Sequence, residues 1–162
     1  MTPRSIPLIN RFDGRYAFLS NFWAGDPFEW SGDTWQTAEH AFQAAKAAQP
    51  IDYFRIRDSA TPGLAKKLGR KVKLTANWDK KKVSVMLDIL RAKFCVQKQP
   101  AMAQRLVATK DARLVEGNTW GDVFWGVDAV NGVGQNQLGI ALMATRGLVA
   151  AQLRGVSLED LI

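Results

Sequence analysis

An amphipathic stretch between Asn77 and Phe94 constrains the fold of this chain more than any other feature. Asn77 or Asp79 can open a helix there, and apolar side chains then recur at steps of three and four residues. These positions are Val83, Met86, Leu87, Leu90 and Phe94. Side chains at this spacing share one helix face, which other elements must cover. We therefore predict that this helix is the longest of the chain and lies in its core.

A second helix is predicted earlier in the chain, where signals mark both of its ends. Thr37 is a good N-cap, and Glu39 places a negative charge in the first turn. The Ala-rich residues that follow extend this helix to Ala48, before Pro50 stops it.

A third helix follows, with Thr61 as its N-cap, Pro62 preset for its first position and Gly69 suited to a left-handed end. Weaker signals predict the remaining elements. They are a hairpin that pairs Phe28–Trp30 with Thr34–Trp35, a short helix at Tyr53–Asp58, a helix over Met102–Ala108 after Pro100, a strand at Leu114–Val115 and a last helix over Leu138–Leu153.

These elements add up to a predominantly helical α+β fold with a few short antiparallel strands. The 162 residues fit one domain, residues 1–162, with a core from about residue 10 to about residue 153. Gly132-Val133-Gly134 lacks the third glycine and the preceding strand of a dinucleotide-binding fingerprint. A nucleotide-binding parallel sheet is therefore not expected.

The net charge and the single cysteine limit which partners and which cellular location we expect. The formal net charge of +7 and the isoelectric point near 9.8 favour anionic partners such as phosphates, nucleotides or nucleic acid. Cys95, the single cysteine, lies in an apolar run that predicts a buried, inert thiol. Met1–Pro7 lacks the apolar core of a secretory signal, and no apolar stretch is long enough for a membrane span. We expect a cytoplasmic protein without a membrane partner.

Glu39, Gln43 and Lys46 form one polar stripe, because steps of four and three residues return to the same helix face. The pattern alone favours a solvated face over a site. His40 lies beside the stripe and is the only histidine, and a lone histidine is more often structural than catalytic. No second histidine or cysteine cluster supports a metal, so we predict none.

The segment Glu116–Gly126 mixes acids, tryptophans and glycines in irregular backbone. Its glycines would let the chain approach a ligand closely and its tryptophans offer flat faces for a base, but a packed loop is an equal alternative. Beyond it, Asn136 can cap the last helix and leave free backbone N–H groups for an anion, although an ordinary N-cap is the commoner outcome.

Taken in order and spacing, several of these motifs resemble the NADAR (YbiA-like) family from about Tyr16 to Arg146. Each motif alone is weak, whereas their ordered set is specific. The motifs are Phe18–Phe22, Trp35, Glu39–Lys46, Gly63–Lys66 with Gly69 and Arg70, Asn77–Asp79, Ala92–Phe94, Trp120–Asp122 with Trp125 and Gly126, and Gly134–Gly139 with Leu142, Met143 and Arg146.

The resemblance implies a hydrolase of ribose N-glycosidic bonds without a cofactor. Carried over by position, it implies Glu39, Lys46, Trp78 and Asp122 as catalytic residues, although Glu116 or Asp128 could stand in for Asp122. Glu39 and Asp122 would act as the pair in which one residue is the acid–base catalyst and the other stabilises the cation; which residue has which role stays open. Lys46 would form a Schiff base with the opened ribose or hold a phosphate, and Trp78 would stack on the base. The expected substrate contacts are Ser20, Asn21, Phe22, His40, Gln43, Arg70, Trp120, Trp125, Gly126 and Asn136.

The resemblance also implies two substrate classes, between which the basic charge favours ADP-ribose attached to guanine, including ADP-ribosylated DNA. The alternatives are phosphorylated intermediates of riboflavin synthesis and a non-catalytic module that binds ADP-ribose or nucleic acid. The oligomeric state stays open.

Overall fold

The computed structural model describes residues 4–157 and 159–161 of the chain. Met1–Pro3, the start of the segment predicted to lack a secretory signal, lie outside the described residues. The contacts between Cα atoms divide the chain into unit 1, residues 1–20 and 94–162, and unit 2, residues 21–93, which are described separately. The organisation as one domain over residues 1–162 stays a prediction.

The predominantly helical α+β fold is confirmed. The strands are β1 (Leu8–Ile9), β2 (Phe28–Trp30), β3 (Asp33–Trp35), β4 (Arg113–Leu114), β5 (Gly117–Asn118) and β6 (Val127–Asp128). The helices are α1 (Ala38–Ala45), α2 (Pro50–Arg57), α3 (Pro62–Gly69), α4 (Trp78–Lys93), α5 (Pro100–Val107) and α6 (Gln137–Leu153), with 3-10 helices at Gly14–Leu19 and Glu159–Leu161. No described helix combines the length and the apolar character that crossing a bilayer requires.

The strands correct one part of the prediction, because only the hairpin is antiparallel. In it, β2 pairs with β3 across Ser31 and Gly32, which both have positive φ, as a tight hairpin turn requires. By contrast, β1 pairs with β4 and β5 with β6 in parallel. No two-residue turn joins either of these pairs, so nothing local forces the antiparallel direction.

Unit 2 is built around α1, which packs against α2, α3 and α4. Every residue from Ala38 to Ala44 is buried. Met86 and Leu90 of α4 are buried as predicted, together with Ile89, which confirms that this helix lies in the core. It is not the longest helix, since α4 has 16 residues and α6 has 17.

Two helix ends in unit 2 differ from the prediction because tertiary pairing overrides local signals. Helix α1 ends at Ala45, not at Ala48, because Ala47 then forms an isolated antiparallel bridge with Leu74. There, Ala48 N donates to Lys73 O at 2.8 Å. Pro50 does not end α1 but begins α2, three residues earlier than the predicted Tyr53, and proline is favoured at a first helical position.

Tyr53 of α2 also ties that helix to the hairpin. Its hydroxyl donates to Asp33 at 2.6 Å, and Arg57 pairs with the same carboxylate at 2.8 Å. Burial, followed by this hydrogen bond, raises the pKa of Tyr53 to about 12.

Unit 1 contains the parallel pair β1–β4 and the helices α5 and α6, which pack against each other. Ile9 and Leu114 are register partners and are buried, whereas their neighbours Leu8 and Arg113 are exposed. Cys95 corrects a further prediction, because it follows the end of α4 and is only half-buried.

Candidate functional site

Two members of the stripe predicted on α1, Glu39 and Gln43, are buried, and the third, Lys46, is half-buried. Glu39 is 7% exposed and Gln43 is 6% exposed, so the interpretation as a solvated surface is wrong. The Gln43 amide Nε2 donates to Glu39 Oε1 at 2.7 Å. A buried carboxylate needs such donors, because burial removes its water. We call Glu39, Gln43 and Lys46 the α1 row.

The start of α1 holds the α1 row in place. Thr37 caps the helix as predicted, with its hydroxyl accepting from His40 N at 3.1 Å. Glu39 N donates to the carbonyl of Asn21 at 2.9 Å, which satisfies a further first-turn donor. The segment that begins with Asn21 therefore fixes the backbone at Glu39.

Lys46 is the C-cap of α1 and carries the amine of the row. Burial lowers the pKa of Lys46; Glu39 opposes this, while Arg70 and Lys66 add to the lowering by their positive charge. The amine has no hydrogen-bond or ion-pair partner among the described residues. Lys46 therefore has more neutral amine at a given pH than an exposed lysine, which favours attack on a carbonyl-like carbon.

Gly69 lies against the α1 row and corrects another prediction. It does not have a left-handed conformation but is the last residue of α3, with Arg70 as the helical C-cap. A Cβ at this position would lie 2.8 Å from Gln43 Cδ and 3.0 Å from Lys46 Cε, and closer still to Gln43 Oε1. Glycine is needed here because the two side chains of the row occupy that space.

Two buried oxygens in unit 2 have no hydrogen-bond partner among the described residues: Asn21 Oδ1 and Gln43 Oε1. Buried polar atoms without partners are rare and call for an explanation. The nitrogen of each amide has a partner: Asn21 Nδ2 donates to Met86 Sδ at 3.7 Å, and Gln43 Nε2 donates to Glu39. Both unpaired acceptors therefore belong to residues that contact Glu39.

His40, predicted as a substrate contact, has both ring nitrogens engaged inside the protein. Nδ1 lies 2.8 Å from the Thr37 hydroxyl and Nε2 lies 3.0 Å from the carbonyl of Ser59. A carbonyl only accepts, so Nε2 carries the proton and Nδ1 accepts from Thr37. The ring is also fully buried, so neither nitrogen can contact a substrate. The predicted role of His40 as a substrate contact is therefore corrected to a structural role.

Aromatic residues of unit 2 differ in their exposure. Trp78 is 7% exposed, and its ring centroid lies 5.2 Å from that of Phe42. Phe22 is 43% exposed, and Lys66 Nζ lies 5.9 Å from its ring centroid. Of these rings, Phe22 offers the larger surface for a base.

The predicted site residues of unit 1 form a tight turn. Asp122 Oδ1 accepts from the backbone N of Phe124 at 3.2 Å and of Trp125 at 2.9 Å. Asn118 holds the turn through both the N and the O of Asp122. Trp120 is 64% exposed, while Gly126 is buried where a Cβ would collide with Glu116 O. This segment is a packed loop with one exposed tryptophan.

Asn136 does not cap α6 with its side chain, and no anion site exists at that helix start. The Asn136 side chain instead donates to Leu114 O at 2.9 Å and accepts from Glu116 N at 3.0 Å. The first backbone donors of the helix are taken by loop carbonyls, with Gln137 N on Phe124 O and Leu138 N on Trp125 O. The prediction of free N–H groups is wrong, because carbonyl groups of the segment Glu116–Gly126 accept from the first N–H groups of the helix.

The sequence interpretation missed two residues around the α1 row. Lys66 entered only as part of a motif, and Gly69 as a helix end, yet both belong to the surroundings of Lys46. Lys66 and Arg70 are four residues apart, so the sequence already indicated that both positive side chains lie on one helix face. Ser20, a further predicted contact, belongs to unit 1 and is half-buried after the first 3-10 helix. Among the described residues, no group of three or more His, Cys, Asp or Glu side chains is placed to hold a metal ion.

Comparisons with known proteins show the family to which the chain belongs. The NADAR domain model matches residues 9–149. The chain is 40% identical to N-glycosidase YbiA of Shigella flexneri over 139 residues, which cover 85% of this chain and 84% of that protein. It is 31% identical over 126 residues to the chloroplastic riboflavin biosynthesis protein PYRR of Zea mays, covering 70% of this chain and 19% of that protein. The NMR structure of Escherichia coli YbiA matches with a TM-score of 0.80 at 34% identity, over 95% of this chain and 92% of that chain.

The fold and the α1 row define the class first: an α+β protein with a buried carboxylate and a lysine of lowered pKa on one helix. The chain belongs to the NADAR domain family. It is a hydrolase that acts on N-glycosyl bonds.

Proposed function

We propose that this N-glycosidase releases ADP-ribose from ADP-ribosylated guanine in nucleic acid. The observation that carries the proposal is the buried carboxylate of Glu39, which is held by Gln43 and lies in the field of Lys46. Departure of a base from ribose builds positive charge at the anomeric carbon, and a fixed carboxylate stabilises it. Lys66 and Arg70 add positive charge that suits a diphosphate.

In this proposal Glu39 acts as a carboxylate and stabilises the cationic ribose carbon. The Gln43 amide donates to it and fixes its orientation, so the carboxylate needs no rearrangement during the reaction. Asp122, whose Oδ1 accepts from two backbone N–H groups of its own turn, is proposed as the second acidic residue on the family resemblance alone. Trp78 and Phe22 are proposed to contact the base.

Lys46 is proposed to form a Schiff base. Its amine attacks C1 of the ring-opened ribose, the bond from C1 to the base nitrogen breaks, and the nitrogen leaves with a proton. Water then hydrolyses the imine, which releases the sugar aldehyde and the free amine. The lowered pKa of Lys46 and its unpaired amine support this role.

Borohydride reduction during turnover tests the role of Lys46. The expected result is a sugar adduct on the Lys46 peptide in mass spectrometry, and loss of turnover in Lys46→Arg, which keeps the charge but forms no imine. Normal turnover of Lys46→Arg without any adduct in the unmodified enzyme would instead assign the lysine to phosphate binding.

The net charge of +7 supports nucleic acid as the carrier of the substrate, because phosphate contacts dominate such binding. A cytoplasmic location remains part of this proposal. The similarity to the Zea mays riboflavin biosynthesis protein favours a second candidate, a phosphorylated riboflavin precursor that carries ribose on nitrogen.

A direct comparison separates the two substrates. The purified enzyme is incubated with an ADP-ribosylated guanine oligonucleotide and, separately, with the riboflavin ribosylamine intermediate, and the released base or sugar is followed by mass spectrometry. Release from the oligonucleotide is the expected result. Release from the riboflavin intermediate alone would replace the proposed substrate by the second candidate, and release from neither would refute both.

A further inference from the structure

Unit 1 contains a cavity of about 450 Å³ whose lining residues all belong to that unit. Part of its wall is the outward face of the β1–β4 pair. Leu8 and Arg113 are register partners, so their side chains share one face of the pair. Ile9 and Leu114 point to the opposite, buried face, as the alternation along a strand requires.

Apolar side chains from α6 form another part of the wall. Ile140 and Met143 both line the cavity, and their spacing of three residues places them on one helix face. Ile140 is 50% exposed and Leu8 is 59% exposed. The cavity therefore gathers exposed apolar surface from two elements, and gathered apolar surface of this kind marks binding sites.

Positive charge lines the same cavity. Arg11 and Arg113 are both exposed, and neither guanidinium has a hydrogen-bond or ion-pair partner among the described residues. Asp128 is the one acidic residue of the lining, and its Oδ1 accepts from the backbone N of Val130 and of Asn131. Two arginines against one such carboxylate leave the cavity with a surplus positive charge.

We propose that this cavity is a second binding site, which takes a nucleotide with its phosphate on Arg11 and Arg113 and its base on Leu8, Ile140 and Met143. Guanidinium groups bind phosphate oxygens through paired, charge-assisted hydrogen bonds. A volume of about 450 Å³ lies in the range of pockets that enclose small ligands, whereas a peptide needs an extended groove. The cavity contains no residue of the α1 row, although Asn136 in its lining is a predicted substrate contact. Its test is a binding measurement at named methyl groups, which does not require turnover of the proposed substrate.

Methyl NMR of the unmodified protein locates the ligand directly, with AMP as the probe. AMP shifts the methyl signals of Leu8, Ile140 and Met143, and adenosine, which lacks the phosphate, binds there roughly tenfold more weakly or worse. A short oligonucleotide distinguishes the source of the nucleotide: tighter binding than AMP at the same methyl groups assigns the site to nucleic acid, and weaker binding assigns it to free nucleotides.

Two double variants complete the test. Arg11→Gln with Arg113→Gln is expected to weaken AMP binding at these methyl groups by roughly tenfold or more. Arg55→Gln with Arg91→Gln removes the same charge from exposed positions of unit 2 and leaves the shifts unchanged. Three results would each overturn the inference: no shift of the three methyl groups at millimolar AMP, equal binding of adenosine, or normal binding by the first double variant.

Discussion

Replacing Gly69 by alanine tests the packing of the α1 row. This change normally stabilises a helix, whereas here we expect it to destabilise the protein. Alanine in a helix is favoured over glycine by about 1 kcal/mol, so an ordinary helical site gains stability. At Gly69 the new Cβ would lie 2.8 Å from Gln43 Cδ and would overlap Gln43 Oε1. The Gln43 amide must shift, and we expect the shift to break its bond to Glu39.

The magnitude follows from these two effects. A hydrogen bond to a charged group contributes about 1.5–3 kcal/mol, and the helix preference offsets about 1 kcal/mol of its loss. We therefore expect Gly69→Ala to lower the free energy of unfolding by about 0.5–2 kcal/mol. Turnover should also fall, because Glu39 loses the donor that orients it.

Urea denaturation with an unchanged m-value measures the effect. Gly147→Ala is the matched control, since Gly147 lies inside α6 and a Cβ there meets no heavy atom within 4 Å. The control should gain stability. The reasoning is refuted if Gly69→Ala gains as much stability as Gly147→Ala and keeps full turnover.

Three further predictions concern the buried polar contacts. Thr37→Ala should lower the free energy of unfolding by about 1–2 kcal/mol in urea denaturation, whereas Thr37→Ser should restore most of it; equal stability of both variants would contradict the cap. Burial, partly offset by Ser59, lowers the pKa of His40 below 6.5, so the unfolded state gains its proton first as the pH falls. Stability should therefore drop as the pH falls through 6.5 and continue to drop until the folded state is protonated as well. A histidine that titrates at its usual pH in NMR would refute this. The pKa of Tyr53 is raised to about 12, so its contribution to stability is kept below pH 10 and lost as the pH rises towards 12; an absorbance titration of Tyr16→Phe that shows normal ionisation would exclude this.

The sequence predicted those features that depend on neighbouring residues. Thr37 and Thr61 cap their helices as predicted, because a cap is a contact over three residues. The hairpin at Ser31 and Gly32 was equally predictable from its turn. Helix geometry also predicted that the side chains of the α1 row share one helix face, but it did not predict their burial.

The features that the sequence did not predict depend on residues far apart along the chain. Helix α1 stops early because Lys73 binds the backbone of Ala48. Gly69 is needed for the side chains of a different helix, and Asn136 is drawn away from capping by Leu114. Local patterns carry no information on such contacts, which explains why the caps at Thr37 and Thr61 were predicted and the end of α1 was not.

Turnover and binding by Glu39→Gln test the central claim most directly. Glutamine keeps the size of the side chain and removes its charge, and Glu29→Gln, at an exposed position of β2, is the matched control. On the ADP-ribosylated guanine oligonucleotide, Glu39→Gln is expected to lose turnover while still binding, and Glu29→Gln is expected to keep both. Undiminished turnover in Glu39→Gln would show that the buried carboxylate does not stabilise the reacting ribose carbon and would contradict the account.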